Sequence, residues 1–146
     1  MIPRSVVALS PLARHADAAL LLLRVVVGAF LVWGVADNIA SAERMHEFER
    51  FLARYRFAYP DFMARLSVWA QLFVGVAFVL GLLTRWAGLV CAINFVVAIA
   101  MVDRFAGIRG AFPSASLVAI GLLLATLGPG RYGLDARASR PARDVA

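Results

Sequence analysis

Long apolar stretches separated by short charged ones make up this chain. Residues 18–36, 66–83, 86–102 and about 112–127 are almost free of charge. Each approaches the roughly 20 residues needed to cross a hydrocarbon core at about 1.5 Å of rise apiece. With flanking residues included, the expected spans are 18–38, 66–83, 86–102 and 112–128. Thr84-Arg85 leaves room only for a tight turn between the second and third spans, so these two form an antiparallel hairpin. Four spans put both termini on one side. The last run stops at LGPGRYGLDA, where Gly128 supplies a left-handed cap, Pro129 ends the helix, and Arg131 and Tyr132 suit the interface.

Between the first two spans, Met45, Phe48, Phe51, Leu52, Tyr55 and Tyr59 recur at helical spacing, while Glu43, Glu47, Glu49, Arg50, Arg54 and Arg56 fill the other faces. This pattern predicts an amphipathic helix that ends before Pro60 and lies in the interface or caps the bundle, its aromatic stripe serving packing. The expected fold is therefore all-α: an integral membrane four-helix bundle with an amphipathic interfacial helix between helices 1 and 2. Residues 1–136 are expected to form a single four-span domain. Residues 137–146, with Arg137, Arg140 and Arg143, are expected to form a disordered basic tail with a weak attraction for anionic lipid.

Composition sharpens this picture. The 146 residues are 62% hydrophobic with a mean hydropathy of +0.81, too apolar for a soluble domain of this size. All fifteen basic residues are arginines, and the net charge of +6 points to a GC-rich bacterial genome. Nucleic-acid binding is excluded as a reading because the arginines are spread over both sides of the membrane. Ala40-Ser41-Ala42 has the form of a signal-peptidase site, but the apolar run before it is too long and contains Arg24. Counting arginines gives seven on each side, so the positive-inside rule ties. An amphipathic helix folded against the bilayer dilutes the signal of its own arginines, which favours cytoplasmic termini in an inner membrane. Cys91 is alone and in an apolar run, and His15 and His46 lie outside every run. The chain is thus expected to hold no metal and no intrinsic cofactor, and any redox chemistry must borrow its carrier.

Polar residues within the runs sort into two layers. Arg24 lies about 9 Å in from the start of the first span and Asn94 about 12 Å in from the start of the third, both on the termini side. They are expected to form a structural polar pair, since arginine only donates and the asparagine carbonyl accepts. Opposite them lie Asp37, Asn38, Gln71, Asp103, Arg104, Ser114 and Ser116. Gln71 is the one of these set well inside a span, and a glutamine in lipid must find a partner. A ligand is expected between Asp37, Gln71 and the start of the fourth helix, with Asn38, Ser114 and Ser116 as further polar groups and Trp33 and Trp69 flanking a flat ring. Asp37 would repel an anion unless Arg104 or Arg65 neutralised it, so a neutral ligand such as a quinone is expected in preference to thiosulfate.

Taken together, LLLLRVVVGAFLVWGVADN, MHEFERFL, WAQLFVGVAFVLGLLTRWAGLV and GPGRYGLDA resemble the DoxX family of small bacterial four-helix membrane proteins over about residues 20–136. The family usually has an arginine early in its first helix, matched by Arg24, and a GLLTR turn, matched by residues 81–85. Two positions depart from it: Asp37 stands where many members have lysine, and Gln71 where many have glutamate. The resemblance implies membrane oxidoreductase systems, since members include a subunit of a thiosulfate:quinone oxidoreductase and others tied to redox-stress complexes. Three readings follow. The first is a small subunit or accessory of a quinone-linked oxidoreductase, with a quinone as cofactor and a redox subunit or a second copy of the chain as partner. The others are a non-catalytic assembly or structural protein, and a small-solute transporter. The last has least support, because the spans show no mid-membrane carboxylate and no broken helix.

Overall fold

A computed structural model describes residues 10–138. After one helical turn, Ser10–Ala13, come α1 (Ala16–Ala40), α2 (Ala42–Arg54), α3 (Pro60–Leu80), α4 (Thr84–Met101), a 3-10 turn (Asp103–Ala106), α5 (Gly107–Leu127) and α6 (Leu134–Ala138). Among the described residues, four helices are long and apolar enough to cross a membrane: α1, α3, α4 and α5, the last counted with the 3-10 turn before it. The all-α membrane bundle is as expected, with α2 between the first two spans.

Two glycine crossings set the packing. A methyl group on Gly75 would lie 2.7 Å from the Gly28 carbonyl oxygen, and one on Gly28 would lie 2.6 Å from that of Gly75, so α1 and α3 meet backbone to backbone. Gly88 and Gly121 bring α4 and α5 together in the same way, a methyl on Gly121 falling 2.7 Å from the Gly88 oxygen. Gly75 lies five residues before the end of α3 and Gly88 four residues after the start of α4. Both crossings therefore lie within about 8 Å of the α3–α4 turn along the helix axes. The bundle is pinned at that end. Val27, Leu31, Val74, Phe78, Cys91, Leu117 and Leu124 join the two pairs into one core.

The boundaries differ from the sequence reading in four places. The turn is not Thr84-Arg85 but Gly81-Leu82-Leu83. Gly81 (φ 66) is the left-handed C-cap of α3, with Leu82 N–H donating to Ala77 O and Gly81 N–H to Phe78 O, and Thr84 already opens α4. Helix α3 begins at Pro60 instead of residue 66, because proline at the first helical position extends it through the polar Asp61 and Arg65. Helix α5 begins at Gly107 and carries Pro113 inside it. That position is in the second turn, where the ring removes the backbone hydrogen bond to the Arg109 carbonyl. Arg137, expected in the tail, is in α6, and Arg140 and Arg143 lie outside the described residues.

Candidate ligand-binding cavity

At the end away from the glycine crossings the helices leave room, and α2 fills part of it. Ser41 caps α2 by accepting the Arg44 N–H at 3.4 Å. Glu49, on the second half of the helix, accepts from Arg65 of α3 at 3.3 Å and pairs with His46 at 2.7 Å. The apolar face carries buried Leu52 with Phe48 and Phe51. Tyr55 continues this aromatic line to Phe105 beyond α4, at 5.0 Å between ring centroids from Phe51 and 6.1 Å from Phe105.

Helices α2, α3 and α4 enclose a cavity of about 470 Å³. Its walls are mostly apolar, and Leu66, Ile93 and Val97, which line it, are themselves exposed on the outer surface of the bundle. The cavity therefore opens sideways to the bilayer. Its polar groups form a directed line. Gln71 Nε2 donates to Ser67 Oγ at 3.2 Å, and Ser67 Oγ donates to Asn94 Oδ1 at 3.0 Å. With Oδ1 accepting from serine, the Asn94 Nδ2 keeps two hydrogens for something else. Asp103 also lines the cavity, with Oδ2 buried and without a partner among the described residues.

Of the residues singled out in the sequence, Gln71 and Asn94 line this cavity; Trp33, Asp37, Asn38, Trp69, Ser114 and Ser116 do not. Trp33 is 77% exposed and Asp37 is exposed. Trp69 lines a separate apolar groove with Phe73 and Leu80. Asn38 Nδ2 donates to Arg44 O at 3.3 Å, and Ser116 Oγ donates to Phe112 O of its own helix at 2.8 Å. Ser114 is half-buried on α5. The polar side chains that do come together, Gln71, Ser67 and Asn94, lie between α3 and α4. Ser67 was legible as the residue one helical turn before Gln71, and Phe48 and Phe51 as the apolar stripe of α2.

The expected Arg24–Asn94 pair does not form. Asn94 bonds Ser67, whereas Arg24 is fully buried and none of its three guanidinium nitrogens has a hydrogen-bond partner. Its neighbour is instead Gly81, where a Cβ would overlap the guanidinium itself. The charge thus lies at the carbonyl end of α3, where a helix dipole favours a cation, and within coulombic reach of Asp135. Asp135 in turn accepts the N–H groups of Leu83 and Thr84 at 2.9 and 3.0 Å, capping α4. Arg85 donates to Ala125 O and Thr126 O at the end of α5, at 3.0 and 2.6 Å. Asp17, in the first turn of α1, accepts the Arg131 N–H at 3.1 Å. Every helix end on this face therefore has a charge of the sign its dipole wants. Thr126 bonds the Leu122 and Leu123 carbonyls of its own helix.

Four apolar spans with an amphipathic helix between the first two define a small multi-pass membrane protein. The DoxX family model matches residues 19–104, and the chain belongs to the DoxX family. No curated protein and no solved structure matches it.

Proposed function

We propose that this protein binds a quinone headgroup in the cavity beneath α2 and serves an inner-membrane oxidoreductase system as a small quinone-handling subunit, with its termini in the cytoplasm. The observation that carries the reading is the free Asn94 amide nitrogen in an apolar cavity open to the bilayer. A quinone supplies what the cavity lacks: a flat apolar ring, a carbonyl that accepts from Asn94, and a tail that remains in lipid. Phe48, Phe51 and Phe57 offer faces for the ring. Electrons must come from a partner, since Cys91 is buried against the Leu117 carbonyl and cannot exchange with thiols outside.

The test is purification of the full chain from its native membranes, followed by lipid extraction and ultraviolet spectra. Quinone retained in near-stoichiometric amount, and reduced severalfold in Asn94→Leu, is the expected outcome. Quinone no more abundant than in the bulk membrane would leave the non-catalytic assembly role in its place.

A further inference from the structure

Beside the cavity mouth is a second concavity, of about 500 Å³, bounded by Arg54, Arg56 and Arg104 over a floor of Tyr55, Met101 and Phe105. We propose that this groove is a binding site for the phosphate of an anionic phospholipid. Arg44 is engaged with Glu47, Arg65 with Glu49, and Arg85 with two carbonyls, whereas among the described residues Arg54, Arg56 and Arg104 have neither an ion pair nor a hydrogen bond to an acceptor. Three arginines lining one concavity give it a strong positive charge, and their planar forks match a tetrahedral oxyanion.

Two features hold the groove in shape. The Arg104 guanidinium stacks 4.6 Å from the centroid of the Phe105 ring, which is itself 6.1 Å from Tyr55. Arg56 adopts a left-handed backbone with φ of 60°, a conformation costly for a residue with a side chain. The floor selects a lipid over a soluble oxyanion. Met101 is the last residue of a membrane-spanning helix, so the groove lies at the level where lipid phosphates lie, and its apolar floor suits the glycerol and upper acyl chain. A lipid held there bridges the end of α2 to the turn after α4, the two elements that frame the cavity.

The experiment measures binding of short-chain phosphatidylglycerol, short-chain phosphatidylcholine and inorganic phosphate to the full chain in neutral detergent. Phosphatidylglycerol is expected to bind more tightly than either, and Arg54→Gln/Arg56→Gln/Arg104→Gln to weaken it about tenfold or more. Arg44→Gln/Arg50→Gln, on the same helix but outside the groove, is expected to leave binding intact. Should the triple variant misfold, Arg56→Gln and Arg104→Gln alone are each expected to weaken it severalfold. Equal binding of the two lipids, insensitivity to the groove variants, or inorganic phosphate binding as tightly as the lipid would overturn the assignment, the last in favour of a soluble oxyanion. None of these outcomes depends on whether the neighbouring cavity takes a quinone.

Discussion

Arg24 is buried because four helix ends on one face of the bundle must each be neutralised, and its share of that task is the carbonyl end of α3. Its counter-charge is Asp135, which also caps α4. Asp135→Asn weakens the cap on two α4 N–H groups and removes the counter-charge within coulombic reach of Arg24, and is therefore expected to destabilise the protein in detergent by about 1–2 kcal/mol. Arg24→Leu should cost less, and the double variant should be milder than the sum; thermal unfolding of the four proteins closes the cycle. Strict additivity would deny the coupling. Gly81 makes an independent test, because its φ of 66° and the guanidinium beside it both exclude a side chain. Gly81→Ala should cost about 1–3 kcal/mol in the same assay. The sequence marked Arg24 as a charge inside a span and predicted an inward-facing side chain, but did not give its partner. Depth along the spans pointed to Asn94, whereas the true neighbours come from a turn and a C-terminal segment that periodicity does not place.

At the scale of elements, the spans were legible because an apolar run of membrane length has few alternatives. Their ends were not: α3 and α5 continue through Asp61, Arg65 and Arg109 into water, where hydropathy no longer marks a helix. The stripe of α2 was equally clear, yet a stripe does not say which neighbours it covers. Glu49 to Arg65 and the aromatic line to Phe105 tie it to α3 and to the turn after α4, so the cavity beneath it lies away from α5. Small residues recur in all the spans, but only some mark crossings. Gly75→Ala, facing the Gly28 oxygen at 2.7 Å, should destabilise the bundle by about 1–3 kcal/mol. Gly34→Ala, whose added methyl meets nothing within 4 Å, should leave the melting temperature unchanged or slightly raised. Equal effects at the two sites would contradict the crossing as described.

For the whole molecule, one end is closed by glycine crossings, the Gly81–Thr84 turn and the charges around it, while the other is held apart by α2 and contains the cavity. A bundle built this way keeps a rigid base and a lipid-accessible site at opposite ends of the same four helices. In a Cys91→Ala background, Arg131→Cys should label from the cytoplasm and Glu43→Cys from the opposite side; labelling of both from one side would break the four-span topology. The central claim is that the directed line from Gln71 through Ser67 leaves the Asn94 amide free to bind a carbonyl. The direct measurement is the affinity of a short-chain quinone analogue for wild type, Asn94→Leu and Trp33→Ala in detergent. A loss of about tenfold is expected for Asn94→Leu, the worth of one buried hydrogen bond, and no change for Trp33→Ala. Undiminished affinity in Asn94→Leu, or a loss in Trp33→Ala alone, would contradict it.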